Sequence, residues 1–183
     1  MKILMVRHGE TDYNKNHLVQ GHTDIPLNAT GIQQAKDAGL KLKDYNIAAA
    51  YSSPMERAYD TCRYMLDNSE NQDIAIEKDI RVIEKNYGKF EGATYEEWHL
   101  GQEKGDISSV ESDTAIAQRI EDFYKEKYDE HKDDTILVVC HGACTRIFLE
   151  SKKIRPNDAY IVNTSLNEIE YDGENFTLLK YNA

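Results

Sequence analysis

Apolar residues in this chain gather into short runs, separated by stretches in which they recur every three or four positions. The runs are Ile3–Val6, Ile47–Tyr51, Ile74–Ile76, Ile80–Ile83, Thr135–Cys140, Glu168–Tyr171 and Phe176–Tyr181, with the third and fourth the weakest. Continuous runs such as "ILMV" and "ILVV" fit strands buried on both faces, and the helix-period stretches supply the covering layers. This alternation predicts a layered α/β fold with a mostly parallel sheet. Asp172-Gly173-Glu174-Asn175, between the last two runs, reads as a hairpin turn that adds an antiparallel edge.

Four helices are expected. Thr30 and Gln33 have capping-box spacing, and Ile32, Ala35, Gly39 and Leu42 then share one face. Ser53 and Glu56 form a second box, with Pro54 at the first helical position, where a missing N–H costs nothing. Met55, Ala58, Cys62 and Met65 give that helix its buried stripe. A third helix is predicted from Asp113 to about Glu130, with Ile116, Ile120 and Phe123 inward, and a fourth after Gly142.

No repeat, low-complexity tract or linker divides residues 1–183, so a single domain is expected. The formal net charge of -11 argues against nucleic acid or an anionic membrane as partner. Three cysteines, Cys62, Cys140 and Cys144, are too few and of the wrong parity for a disulfide framework. The first apolar run is too short for a secretory signal, and none approaches the roughly 20 residues of a membrane span. A cytoplasmic protein, monomer or homodimer, is expected.

The chemistry sits where the runs end. "ILMVRHG" and "ILVVCHG" both finish in His-Gly, at His8-Gly9 and His141-Gly142. Parallel neighbours would set both imidazoles at the carboxyl edge of the sheet, where open α/β folds place their ligands. "YSSPMERA" brings Arg57 to the first turn of a helix at the same edge, and "IRVIEKNYG" brings Glu84. Each residue alone is more often structural; together they make a set. Arg7 and Arg57 offer forked donors that match phosphate oxygens. Gly9 and Gly142 allow close backbone approach, so amide N–H groups add to an anion cradle. A neutral imidazole can attack phosphorus, a second can stabilise the transferring group, and a carboxylic acid can protonate the leaving oxygen.

These residues resemble the histidine phosphatase superfamily, which includes cofactor-dependent phosphoglycerate mutase. Arg7-His8-Gly9-Glu10-Thr11 matches its defining motif, and Asn14, Gln20 and Gly21 fall at the spacing of its phosphate contacts. "NATGIQQA", "SSPMERAYDT", "EKNYGKFEG" and "VVCHG" resemble its later segments in order, over nearly the whole chain. The resemblance implies a three-layer α/β/α sandwich with no metal or other cofactor. By the same resemblance His8 becomes phosphohistidine, and Arg7, Arg57 and His141 hold the phosphoryl group. Glu84 is then the proton donor, and Asn14, Gln20 and Gly21 complete the pocket for a small phosphorylated substrate.

Hydrolysis and mutation share this machinery. Mutases of the family carry a long segment after the acid, with extra cations for the substrate carboxylate. Here residues 93–134 form a short covering segment with five Lys/Arg against thirteen Asp/Glu, which favours a phosphatase. Lys85 and Tyr87, after the acid, lean towards a mutase.

Two other chemistries compete. Cys140 to Arg146 fits C-x5-R, the loop of cysteine-dependent phosphatases, but Ile147 stands where a hydroxyl belongs and Arg7, His8, Arg57 and Glu84 are left unused. A dication on His8 and His141 would face two arginines, and His17, His22 and His99 lack ligand spacing. A phospholigand-binding module would need the arginines but not Glu84. Tyr13 reads as packing, with lining of the mouth as the alternative, and Trp98, with Tyr95 and Leu100, reads as core or cover, with a substrate lid as the alternative. Arg146 reads as a solvated helix cation.

Overall fold

The computed structural model describes residues 1–183. Six strands form one sheet: β1 (Lys2–Arg7), β2 (Ile47–Ser52), β3 (Ile76–Lys78), β4 (Thr135–Cys140), β5 (Leu166–Tyr171) and β6 (Phe176–Lys180). Their order across the sheet is β3-β2-β4-β1-β5-β6. The first four are parallel, while β5 runs antiparallel to β1 and pairs with β6 in the predicted hairpin. That turn closes because the Asp172 carboxylate accepts from the Glu174 and Asn175 amides, at 2.8 and 2.7 Å, while Gly173 takes φ +104°.

Six helices complete the chain: α1 (Asp12–Lys15), α2 (Ala29–Leu40), α3 (Glu56–Asp67), α4 (Tyr95–Glu103), α5 (Asp113–His131) and α6 (Gly142–Ser151). The apolar runs of β1 and β4 feed two cores because successive side chains alternate faces. Ile3, Met5, Ile136 and Val138 join Ile120 and Phe123 of α5 and Phe148 of α6 on one side. Leu4, Val6, Leu137 and Val139 join Ala38 of α2 and Ala58, Cys62 and Met65 of α3 on the other. The result is a three-layer α/β/α sandwich, as expected. No helix is long and apolar enough to cross a membrane.

The departures are local. Asn28, not Thr30, caps α2 by accepting from Gly31 N–H, so the helix starts earlier and Ile32 is only half-buried. The expected Ser53–Glu56 box is absent. Asp24, from a distant loop, accepts from the Glu56 amide at 2.9 and 3.1 Å and caps α3 instead. Ile80–Ile83 is no strand. Residues Ile80–Val82 make a 3₁₀ turn, capped by Asp79 and anchored through buried Val82. The strand near Ile74 begins only at Ile76. Within residues 93–134, α4 and the loop after it, through Trp98 and Val110, pack on a small cluster with Phe90 and Val19, while α5 is a sheet-packing helix.

Candidate active site

β1 and β4 are parallel neighbours in the register Arg7↔Cys140, so His8 and His141 leave the sheet side by side. Their ring centroids are 5.1 Å apart at an interplanar angle of 63°. His8 is only 2% exposed. Its Nδ1 lies 2.7 Å from the carbonyl oxygen of Gly9. A carbonyl can only accept, so Nδ1 carries the proton and Nε2 keeps the lone pair. Burial, then the charges of Arg57 and Arg7, push the His8 pKa well below its ordinary value, outweighing the Gly9 contact. The ring is therefore neutral at pH 7 and presents one free nitrogen.

His141 is fully buried, with Nε2 2.8 Å from the Ser53 hydroxyl. Its pKa is likewise lowered by burial and by Arg57. Nδ1 has no hydrogen-bond partner and lies 3.9 Å from Glu84 Oε2. Glu84, from the stretch after the 3₁₀ turn, accepts from the Lys85 amide at 2.8 Å through Oε1. Its backbone carbonyl accepts from Arg119 Nη2 at 3.3 Å and lies 3.0 Å from His22 Nε2.

Arg57 stands fully buried in the first turn of α3. It donates to the carbonyls of Gly21 at 2.8 Å and Thr23 at 3.1 Å, and pairs with Asp24 at 3.4 Å. Arg7 donates to the Ile161 carbonyl at 2.6 Å. Both leave Nε buried without a partner, as His141 leaves Nδ1. An unmet buried polar group costs roughly 1–3 kcal/mol, and three of the six in the protein are Arg7 Nε, Arg57 Nε and His141 Nδ1. Two guanidinium groups and an imidazole brought together in this way are donors suited to an anion.

The smaller members are here too. Asn14 Oδ1 accepts from the Thr11 amide at 3.2 Å and from Asn163 at 3.3 Å, and Gln20 Oε1 accepts from the Thr11 hydroxyl at 3.0 Å. With both side-chain oxygens engaged inside the protein, each amide offers its NH2, the end suited to an anion. Gly21, at φ +55°, turns its carbonyl to Arg57, and a Cβ there would lie 2.3 Å from the Glu91 carboxylate. Gly142 opens α6, and a Cβ there would lie 3.1 Å from Arg7 Nε. Gly9 differs from expectation. Its N–H already donates to Thr61 Oγ1 at 3.0 Å, and a Cβ would strike the Gly31 carbonyl at 2.5 Å. It is a packing glycine, not part of an amide cradle.

Four supporting residues went unread in the sequence: Ser53 on His141, Thr61 on Gly9, Asn163 with its Nδ2 2.8 Å from the His8 carbonyl, and Tyr160 over Arg7. Only Ser53 carried a signal, and it pointed to a helix cap. The C-x5-R reading fails. Burial pushes the Cys140 thiol up to about 12, residues 142–146 are helix rather than an open loop, and Arg146 pairs with Glu150 at 2.8 Å.

Comparison with known proteins agrees with this geometry. The model of the histidine phosphatase superfamily (branch 1) matches residues 3–183. The uncharacterized phosphatase PhoE of Bacillus subtilis (strain 168) is 30% identical over 185 residues, covering 98% of this chain and 93% of the relative. The crystal structure of phosphoglycerate mutase from Bacillus anthracis superposes with a TM-score of 0.91 at 26% identity, over 100% of this chain and 92% of that one. A variant of phosphoserine phosphatase from Entamoeba histolytica, in complex with phosphoserine, gives 0.84 at 25% identity, over 100% and 96%. With two imidazoles and two arginines meeting at one sheet edge, and a family match from Ile3 to Ala183, this chain belongs to the histidine phosphatase superfamily.

Proposed function

We propose that the protein is a phosphomonoesterase working through a phosphohistidine on His8. The observation that carries this reading is the fixed tautomer of His8: Nδ1–H is tied to Gly9 and Nε2 is free beside His141. Nε2 attacks phosphorus as the bond to the ester oxygen breaks. Arg7, Arg57 and the facing His141 take up the charge on the three equatorial oxygens, with Asn14, Gln20 and the start of α6 at Gly142 as further donors. Glu84, as the carboxylic acid, gives its proton to the departing alkoxide. Its carboxylate then takes a proton from water, which attacks the phosphohistidine. The N–P bond breaks, and His8 returns neutral with inorganic phosphate released.

Hydrolysis is favoured over mutation by the state of the cations after the acid. Lys85, which would hint at a mutase, is buried with Nζ 2.5 Å from Asp113. Arg119 is taken by Glu111 at 2.9 Å. Rapid quenching during turnover of p-nitrophenyl phosphate should trap an acid-labile, base-stable phosphoprotein. His8→Ala should lack it and lose at least about 10³-fold in kcat. A fully active His8→Ala would end this reading, and isomerisation of 3-phosphoglycerate in the presence of the bisphosphate, with no free phosphate, would assign mutase activity.

A further inference from the structure

The mouth of the site differs in character from its floor. Five cations lie between Arg81 and Arg119. Arg81 is held by Asp79 at 2.6 Å and Glu126 at 2.8 Å, Lys85 by Asp113, Lys89 by Asp106 and Arg119 by Glu111. Lys104 stands exposed at the carboxyl end of α4. The stretch that follows the acid thus has no free cation but Lys104 for a carboxylate on the substrate. A carboxylate brought in without one would lose its water uncompensated.

What the mouth does present is aromatic. Tyr160 is 59% exposed, with the Arg7 guanidinium 4.7 Å from its ring centroid. It is held there on both sides. Its carbonyl accepts from Asn182 Nδ2 at 2.9 Å, and the next carbonyl, that of Ile161, accepts from Arg7. Tyr95, half-buried at the start of α4, is anchored by its N–H on the His17 carbonyl at 3.0 Å, with the His17 ring edge-on at 5.8 Å. Burial, then Tyr160, raises the pKa of its hydroxyl against the opposing pull of Arg7 and Asn14. One amphipathic ring, Tyr160, therefore stacks on the guanidinium of Arg7, and a second, Tyr95, stands near enough to feel its charge.

We infer that the ester cleaved here is the phosphate of an uncharged aromatic alcohol, its ring packed against Tyr160 and Tyr95, and not a phosphorylated carboxylic acid. This rests on the phosphatase reading of the same site. Aromatic pairs contribute about 0.5–1.5 kcal/mol beyond their burial, enough for roughly tenfold selectivity.

The test uses the full chain and four esters: benzyl, ethyl and 4-carboxybenzyl phosphate, and phosphoserine. Benzyl and ethyl phosphate share an alkoxide leaving group, so their ratio reports on the ring. Benzyl phosphate should exceed each of the others about tenfold in kcat/KM. Tyr160→Leu should bring the benzyl-to-ethyl ratio towards one, whatever it does to both rates, and Tyr160→Phe should keep it. Phosphoserine or 4-carboxybenzyl phosphate matching benzyl phosphate would overturn the inference while leaving the phosphatase reading standing. A carboxylate preference lost in Lys15→Ala would do the same and assign the charge to exposed Lys15 on α1. An unchanged ratio in both Tyr160→Leu and Tyr95→Leu would also overturn it. Absence of hydrolysis of every ester, p-nitrophenyl phosphate included, would sink the phosphatase reading and this inference with it.

Discussion

Arg7 lies so close over Gly142 that a methyl group there would sit 3.1 Å from Nε and 3.3 Å from Cδ. Gly142→Ala should therefore leave the fold intact but shift the guanidinium by a few tenths of an ångström. Its expected mark is a rise of about tenfold in KM for phosphate esters, with little change in the circular dichroism spectrum; an unchanged KM would show that Arg7 does not hold the phosphoryl group. Glu84 is a different matter, because its role depends on the leaving group. A p-nitrophenolate leaves without help, whereas an alkoxide needs a proton. Glu84→Gln should cost about 10²–10⁴-fold on ethyl phosphate and far less on p-nitrophenyl phosphate. Equal losses on both would remove the acid role. At this scale the sequence was informative where a residue's type is rare in its setting, as with a histidine ending an apolar run. It was silent on Ser53 and Asn163, since a serine before a helix and an asparagine in a loop have many ordinary uses.

Two segments far apart in sequence are buckled together by Glu91. Its carboxylate accepts from the His22 and Thr23 amides at 2.9 Å each, from the Thr23 hydroxyl at 2.8 Å and from the Tyr87 amide at 3.4 Å. The loop so held carries the Gly21 and Thr23 carbonyls that receive Arg57. Glu91→Ala should lower stability by about 1.5–3 kcal/mol, the scale of hydrogen bonds to a charged group, and raise KM by loosening Arg57. Loss of stability with an unaltered KM would separate the buckle from the site. The same long-range ties explain what the element pattern hid. Runs buried on both faces, as in β1 and β4, could be read directly because no other setting needs them. Helix starts could not, since α3 takes its cap from Asp24, thirty-two residues earlier, and Ser53 is spent on His141. Ile80–Ile83 looked like a strand because a run of four apolar and charged residues is too short to show its period. α4 was missed because its only buried residues are Trp98 and Gly101.

Across the whole molecule, a chain of net charge -11 keeps two neutral imidazoles and two arginines buried at one edge. That arrangement has a consequence for stability. In the unfolded chain His8 and His141 titrate near 6.5. In the fold both pKa values lie well below that, through burial first and the Arg57 charge next. Above pH 6.5 neither state binds the protons, and the pair makes no difference. Below it the unfolded chain binds protons that the fold refuses, so stability falls as pH drops towards the folded pKa values. Each histidine contributes a slope of up to about 1.4 kcal/mol per pH unit in that window. Glu168 acts lower down. Lys180, Tyr45 and Lys2 outweigh its burial and hold its carboxyl at about 2, so its contribution is lost progressively as pH falls from the ordinary carboxylate value towards about 2. Thermal unfolding between pH 7.5 and 5 should therefore show a falling Tm that reports on the two imidazoles. Replacing both with glutamine should flatten the curve in that interval, while a double variant that falls in parallel with wild type would mean that the rings take up protons in the fold as readily as in the unfolded chain. In that case burial and Arg57 would not be what keeps the His8 ring neutral, and its activity as a nucleophile would fall with protonation already near pH 6.5.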